Sequence, residues 1–171
     1  ISTSHLDEKH CATFGYVAYT PYLANLGAGQ YSFMYYNQPW VEAQPQTTNG
    51  WSFNANQNLG DKWAIFGRVN GVSGEQAEID TSYLLGVVMN NPFERNSLDQ
   101  IGFAAALNHI NEDAVGSPTS HNYEKVLESY ITFGVSKWMA ITPDVQVYFD
   151  PALNPKSDTA FAFSLRATLF F

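Results

Sequence analysis

Few residues of this 171-residue chain have types that could do covalent chemistry, and their spacing gives them little to work with. His109 could activate a serine, but the sequence holds no Gly-x-Ser-x-Gly elbow and no His-Glu-x-x-His helix. Asp80, Asp144 and Asp150 could supply an acid–base pair. Asp80 and Asp150 fall where strands are expected to end, and Asp144 follows Pro143, which predicts a turn or bulge. His5, His10 and Cys11 are metal-ligand types, yet an i, i+5 histidine spacing does not fit one helical face. The acidic run 73–80 reads as a solvated loop, and Leu26-Gly-Ala-Gly-Gln30 is too short to cradle a phosphate. The expectation is no enzyme, no cofactor and no metal.

Composition narrows the remaining classes. Eight Lys and Arg stand against 16 Asp and Glu, a formal charge of −8, so a nucleic-acid partner is not expected. One cysteine, Cys11, excludes an intrachain disulfide framework. No run approaches the roughly 18 apolar residues of a membrane helix. Aromatic residues make up 15% of the chain and charged residues only 14%, while mean hydropathy is −0.21. The polar part is therefore mostly amides and hydroxyls. The chain starts at Ile1 without a leader pattern, which predicts either processing or a piece of something longer.

Residues with these properties must be positioned by strands, because the recurring pattern has period 2. Nine strands are expected, at 12–21, 30–37, 50–59, 62–71, 80–90, 99–109, 123–136, 139–150 and 158–171. In the last, Phe161, Phe163, Leu165, Ala167, Leu169 and Phe171 share one face. In the fourth, Trp63, Ile65 and Val69 oppose Phe66, Arg68 and Asn70. In the seventh, Leu127, Ile131, Phe133 and Val135 oppose Glu128, Tyr130, Thr132 and Ser136.

A soluble sandwich would carry Lys and Glu on its outer face. An amide-and-hydroxyl face suits a wet lumen instead, with the apolar face turned to lipid. Aromatic residues near strand ends (Tyr19, Tyr22, Trp40, Trp51, Trp63, Phe93, Trp138, Phe170 and Phe171) would form interfacial girdles. The connections alternate between tight turns (Gly60-Asp61, Lys137-Trp138) and longer loops (38–49, 110–122), the asymmetry expected of a membrane barrel, although 22–29 and 91–98 are medium-length turns on the tight-turn side. The fold expected is all-β: an antiparallel transmembrane β-barrel. Nine strands is an odd number, and single-chain bacterial barrels have an even one, so residues 1–171 are expected to be the C-terminal portion of a larger barrel. Residues 1–11 would be a loop or strand lead-in.

Several segments carry a family resemblance. They are Tyr31-Ser-Phe-Met-Tyr-Tyr36, Asn49-Gly-Trp-Ser-Phe53, Trp63-Ala-Ile-Phe-Gly-Arg68, and Asn91-Pro-Phe93 followed by Asp99-Gln-Ile-Gly-Phe-Ala104. Glu128-Ser-Tyr-Ile-Thr-Phe-Gly134, Trp138, Ile141-Thr-Pro-Asp144 and the closing strand complete the set. In this order they resemble the C-terminal half of the carbohydrate-selective porins of Gram-negative outer membranes. The resemblance implies a barrel of about 16 strands, a channel for carbohydrate or another small polar solute, and outer-membrane lipid as surroundings. It also implies a partner: the barrel-assembly machinery would read the terminal signal Phe163, Leu165, Leu169 and Phe171.

Alternation then nominates Arg68, Asn70, Asn108, Glu128, Tyr130, Gln146, Tyr148 and Arg166 as pore-lining residues, with Arg68, Glu128 and Arg166 the expected constriction charges. Cross-strand pairing that only holds the wall is the competing role for the charges. Other solutes (ions, phosphate, a siderophore) and a soluble β-sandwich binding module are the alternatives.

Overall fold

The computed structural model describes residues 11–40, 46–74, 77–115, 121–154 and 156–170. They form β1 (Thr13–Tyr19), β2 (Tyr22–Leu23), β3 (Gly27–Gln38), β4 (Thr48–Leu59), β5 (Trp63–Ser73), β6 (Ile79–Asn90) and β7 (Gln100–Ile110). A single helical turn, α1 (Glu112–Val115), precedes β8 (Tyr123–Ser136), β9 (Met139–Phe149) and β10 (Thr159–Leu169). The nine long strands are those expected, with ends displaced by a few residues.

Two elements were not legible beforehand because each is too short to show a period. In β2, Tyr22 and Leu23 fold back on Ala28 and Gly27, the chain reversing through Gly27 at φ 111°. In α1, the Asn111 side chain accepts from the Asp113 N–H at 3.3 Å, and Glu112 and Asp113 occupy the acid-favouring first turn.

All strands lie in one antiparallel sheet, ordered β1-β3-β4-β5-β6-β7-β8-β9-β10, with β2 hydrogen-bonded to β3 alone. The sheet is open; β1 and β10 are its edges. Connections at one end include 60–62 and 137–138, and those at the other include 111–122 and 150–158. The two tightest turns thus share an end, as expected, but that end also carries the nine-residue connection 91–99, and the opposite end the five-residue connection 74–78.

No second layer covers the sheet among the described residues. Ile110, Ala140 and Ala152 are the buried hydrophobic residues, while Phe161, Phe163 and Leu165 are 65%, 79% and 74% exposed. A sandwich module would bury those three side chains against a facing sheet. This arrangement fits a wall whose apolar face is covered by something other than protein.

The most irregular ladder is β8·β9. Register pairs run to Tyr130↔Asp144, skip two positions, and resume at Phe133↔Ile141. Pro143 causes the skip, because it has no N–H to donate toward β8, while its pairing with Leu165 on the β10 side is kept. A side-chain bond between Thr132 Oγ1 and Thr142 Oγ1, 2.9 Å long, spans the interrupted stretch.

Candidate functional site

Strand parity sorts the side chains onto two faces, and register then sets them in rows across the sheet. One row of the polar face reads Ser52–Asn70–Ser82–Asn108–Glu124. Ser52 donates to Asn70 Oδ1 at 2.7 Å, Ser82 to Asn108 Oδ1 at 2.7 Å, and the Asn108 amide to Glu124 Oε1 at 2.8 Å. Glu124 is buried, and its other oxygen accepts the Ala152 N–H at 3.0 Å, tying the wall to the loop after β9.

The next row is Asn54–Arg68–Leu84–Ala106–Val126–Tyr148–Ala160. Arg68 Nε donates to Asn54 Oδ1 across the strands. Beyond it comes Asn56–Phe66–Gly86–Ala104–Glu128–Gln146–Ala162. Tyr148 donates its hydroxyl to Gln146 Oε1. A last row, Ala64–Val88–Gly102–Tyr130–Asp144–Ser164, brings Asp144 beside Tyr130, and Ser164 donates to Asp144 Oδ1 at 3.3 Å.

All eight nominated lining residues stand on this polar face, divided into two groups. Arg68, Asn70 and Asn108 belong to β5–β7, and Glu128, Tyr130, Gln146, Tyr148 and Arg166 to β8–β10. Register sets Glu128 on β8, Asp144 on β9 and Arg166 on β10 within neighbouring rows, so three ionisable groups gather on this side of the wall. Arg68 stands apart. Three strand spacings separate β5 from β8, about 14 Å along the wall.

Two carboxylates of this face were missed. Asp144 is expected at a turn or bulge because it follows Pro143; it is a buried mid-strand residue of β9 beside the gap in the β8 ladder, since proline interrupts hydrogen bonding on one side only. Glu124 carried no signal beyond its parity with Val126 and Glu128. His109 does end a strand as expected, but its Nδ1 meets Asp80 Oδ1 at 2.8 Å and its ring packs edge-on to Tyr123, so its ring nitrogen faces a carboxylate rather than a serine. Asp80 itself sits at the irregularity between Ile79 and Thr81, and Asp150 just past β9, the strand-end positions expected for both. Cys11 is exposed; His5 and His10 lie outside the described residues. Among the described residues no cluster of three or more His, Cys, Asp or Glu is arranged to hold a metal.

The opposite face carries the apolar side chains, including Leu85, Phe103, Leu127 and, on β10, Phe163, Leu165 and Leu169. Phe171 lies outside the described residues. Trp63, Trp138 and Phe170 are exposed near the short-turn end, and Lys137 Nζ lies 4.9 Å over the Trp138 ring.

A separate latch closes the short-turn end. Asp99, fully buried, takes the Gly134 N–H at 2.7 Å and the Arg95 guanidinium at 2.8 Å. Arg95 Nη1 and the Asn96 amide both donate to the Gly134 carbonyl, at 3.1 and 3.0 Å. Phe93 stacks on Phe133 with ring centres 6.0 Å apart, and Lys62 pairs with Glu94.

A single antiparallel sheet with one apolar face and one hydrogen-bonded polar face is the wall of a β-barrel porin. Residues 10–171 match the model of the family described as carbohydrate-selective porin, OprB family, and the chain belongs to that family. Porin AaxA of Chlamydia felis is 39% identical over 154 residues, covering 90% of this chain and 34% of that protein. Porin AaxA of Chlamydia trachomatis serovar D is 37% identical over 170 residues, covering 99% and 36%. The chain thus spans about a third of the length of these relatives. Among solved structures, the high-pH structure of Pseudomonas putida OprB is similar with a TM-score of 0.72 and 18% identity, over 92% of this chain and 48% of that one. The likeness to that structure establishes the fold. Membership of a porin family implies a channel rather than an enzyme, and an outer-membrane location.

Proposed function

We propose that the chain is the C-terminal portion of an outer-membrane porin of a Gram-negative cell, through which carbohydrates or similar small polar solutes diffuse passively. The polar face lines the lumen, the apolar face meets lipid, and the missing part of the barrel completes the circle between β10 and β1. A solute passes by exchanging hydrogen bonds with water for hydrogen bonds with the wall, and no covalent step is involved. The observation that carries this reading is the side-chain network of the polar face. Asn54 is held by Arg68, Asn70 by Ser52 and Asn108 by Ser82 and Glu124 across the strands, and Gln146 by Tyr148 on its own strand, so fixed amides stand between a few dispersed charges.

Arg68, Asn70, Asn108, Glu128, Tyr130, Gln146, Tyr148 and Arg166 are the proposed lining, with Arg68 and the Glu128–Arg166 group as its charged elements. Phe163, Leu165, Leu169 and Phe171 serve as the assembly signal, and lipid and the assembly machinery are the proposed partners. The test is planar-bilayer conductance of the full-length protein with sugars added. Concentration-dependent reduction of ion current by a sugar, but not by phosphate at equal osmolarity, is expected; block by phosphate alone would overturn the carbohydrate reading.

A further inference from the structure

Three aromatic rings of the polar face are set down on glycines of the neighbouring strand: Tyr36 on Gly50, and two that flank the charged residues, Phe66 and Tyr130. Phe66 is paired in register with Gly86, and Tyr130 with Gly102. In both pairs the ring atoms occupy the place that a Cβ on the glycine would take, so the rings lie along the wall instead of projecting from it. This is the cross-strand arrangement by which an aromatic covers a glycine in a sheet. A ring held this way keeps one π face against backbone and leaves the other open; both residues are half-buried.

The ground between them is small and apolar. Gly86 and Ala104 separate Phe66 from Glu128 in one row, and Leu84, Ala106 and Val126 separate Arg68 from Tyr148 in the next. Polar groups stand at both margins: Arg68 and Asn54 on one side, Glu128, Gln146 and Tyr148 on the other. A purely hydrating wall would carry amides throughout. A low apolar floor with two flat rings and hydrogen-bonding edges is matched to a ligand that is itself apolar on its faces and polar at its rim.

Resting on the carbohydrate reading above, we propose that Phe66 and Tyr130 form a stacking subsite for the C–H face of a sugar ring. Arg68 with Asn54, and Glu128 with Gln146 and Tyr148, take its hydroxyls. Phe66 was not among the residues nominated from the sequence, although its parity with Arg68 places it on the same face. The glycines belong to the site as much as the rings do, since any side chain at Gly86 or Gly102 would lift the ring and close the floor.

The test measures sugar-induced current block in the full-length porin for the wild type, Phe66→Ala, Tyr130→Ala, Phe66→Tyr and Gly102→Ala. Each alanine variant at a ring is expected to weaken sugar binding about tenfold, with the strand signal in circular dichroism unchanged from the wild type, showing that the barrel has folded. Phe66→Tyr should retain binding. Gly102→Ala should weaken binding and lower conductance together, because it displaces the Tyr130 ring into the lumen. If sugars block the wild type and both ring variants with the same affinity, the subsite is wrong and the carbohydrate reading stands. If sugars fail to block the wild type at all, the carbohydrate reading fails and the subsite with it.

Discussion

Asp99 Oδ1 accepts the backbone N–H of Gly134 at 2.7 Å, across 35 residues of sequence and at a position with no solvent access. The same oxygen holds Arg95, so one carboxylate fastens the β6–β7 connection to a neighbouring strand. Asp99→Ala would leave a backbone donor and a guanidinium without that acceptor. A loss of about 2–4 kcal/mol is expected, read as a lower urea midpoint for the full-length protein in detergent or lipid. Asp99→Asn, which keeps an acceptor oxygen for Gly134, should lose less; equal stability of wild type and Asp99→Ala would refute the latch.

Parity makes a sharper claim, because Val126 and Leu127 are adjacent yet lie on opposite faces. Leu127→Arg places a charge in the apolar band and should cost about 2–4 kcal/mol near the bilayer midplane. Val126→Arg points to the polar face and should fold into lipid vesicles nearly as well as the wild type. Equal folding yields for the two variants would reverse or abolish the assignment of faces.

Glu94 sits in the connection after β6, and its carboxyl is held below the usual carboxylate range, first by the hydrogen bond from Lys62 and then by the Lys62 charge. A depressed folded-state value means that the pair stabilises the protein above the ordinary carboxylate pKa and that this contribution disappears as pH falls through the lowered value. The stability difference between wild type and Glu94→Gln should therefore be present at neutral pH and vanish in acid. It should also shrink in high salt, since both partners are solvent-exposed. A difference that persists in acid would show that the pairing is not its source.

Pro143 gives a fourth expectation. Pro143→Ala restores an N–H facing β8, so the new amide at 143 should itself be protected from hydrogen exchange in the folded barrel. Thr132→Val removes the bond to Thr142 and should lose about 1 kcal/mol. Free exchange of that amide in Pro143→Ala would mean that the gap in the ladder has another cause.

The strands were legible in the sequence because alternation is a local property. Phe161, Phe163 and Leu165 declare their face within five residues, and the open sheet bears this out. The partners were not legible, because register joins residues far apart. Nothing near Asp99 announces Gly134, and nothing near Glu124 announces Ala152. Asp144 was misplaced for a different reason: proline ends strands in most settings, but here it removes one donor on one side and leaves the strand intact. Parity likewise placed Phe66 correctly, yet only the coordinates reveal that a glycine lies beneath it.

The glycines under Phe66 and Tyr130 also bear on how bore width can change. One added methyl beneath a ring would tilt several carbons into the passage, while every group that meets a solute kept its identity. A substitution at Gly86 or Gly102 therefore acts as a throttle that also shifts a recognition ring, so bore and binding change together from a position that itself meets no solute.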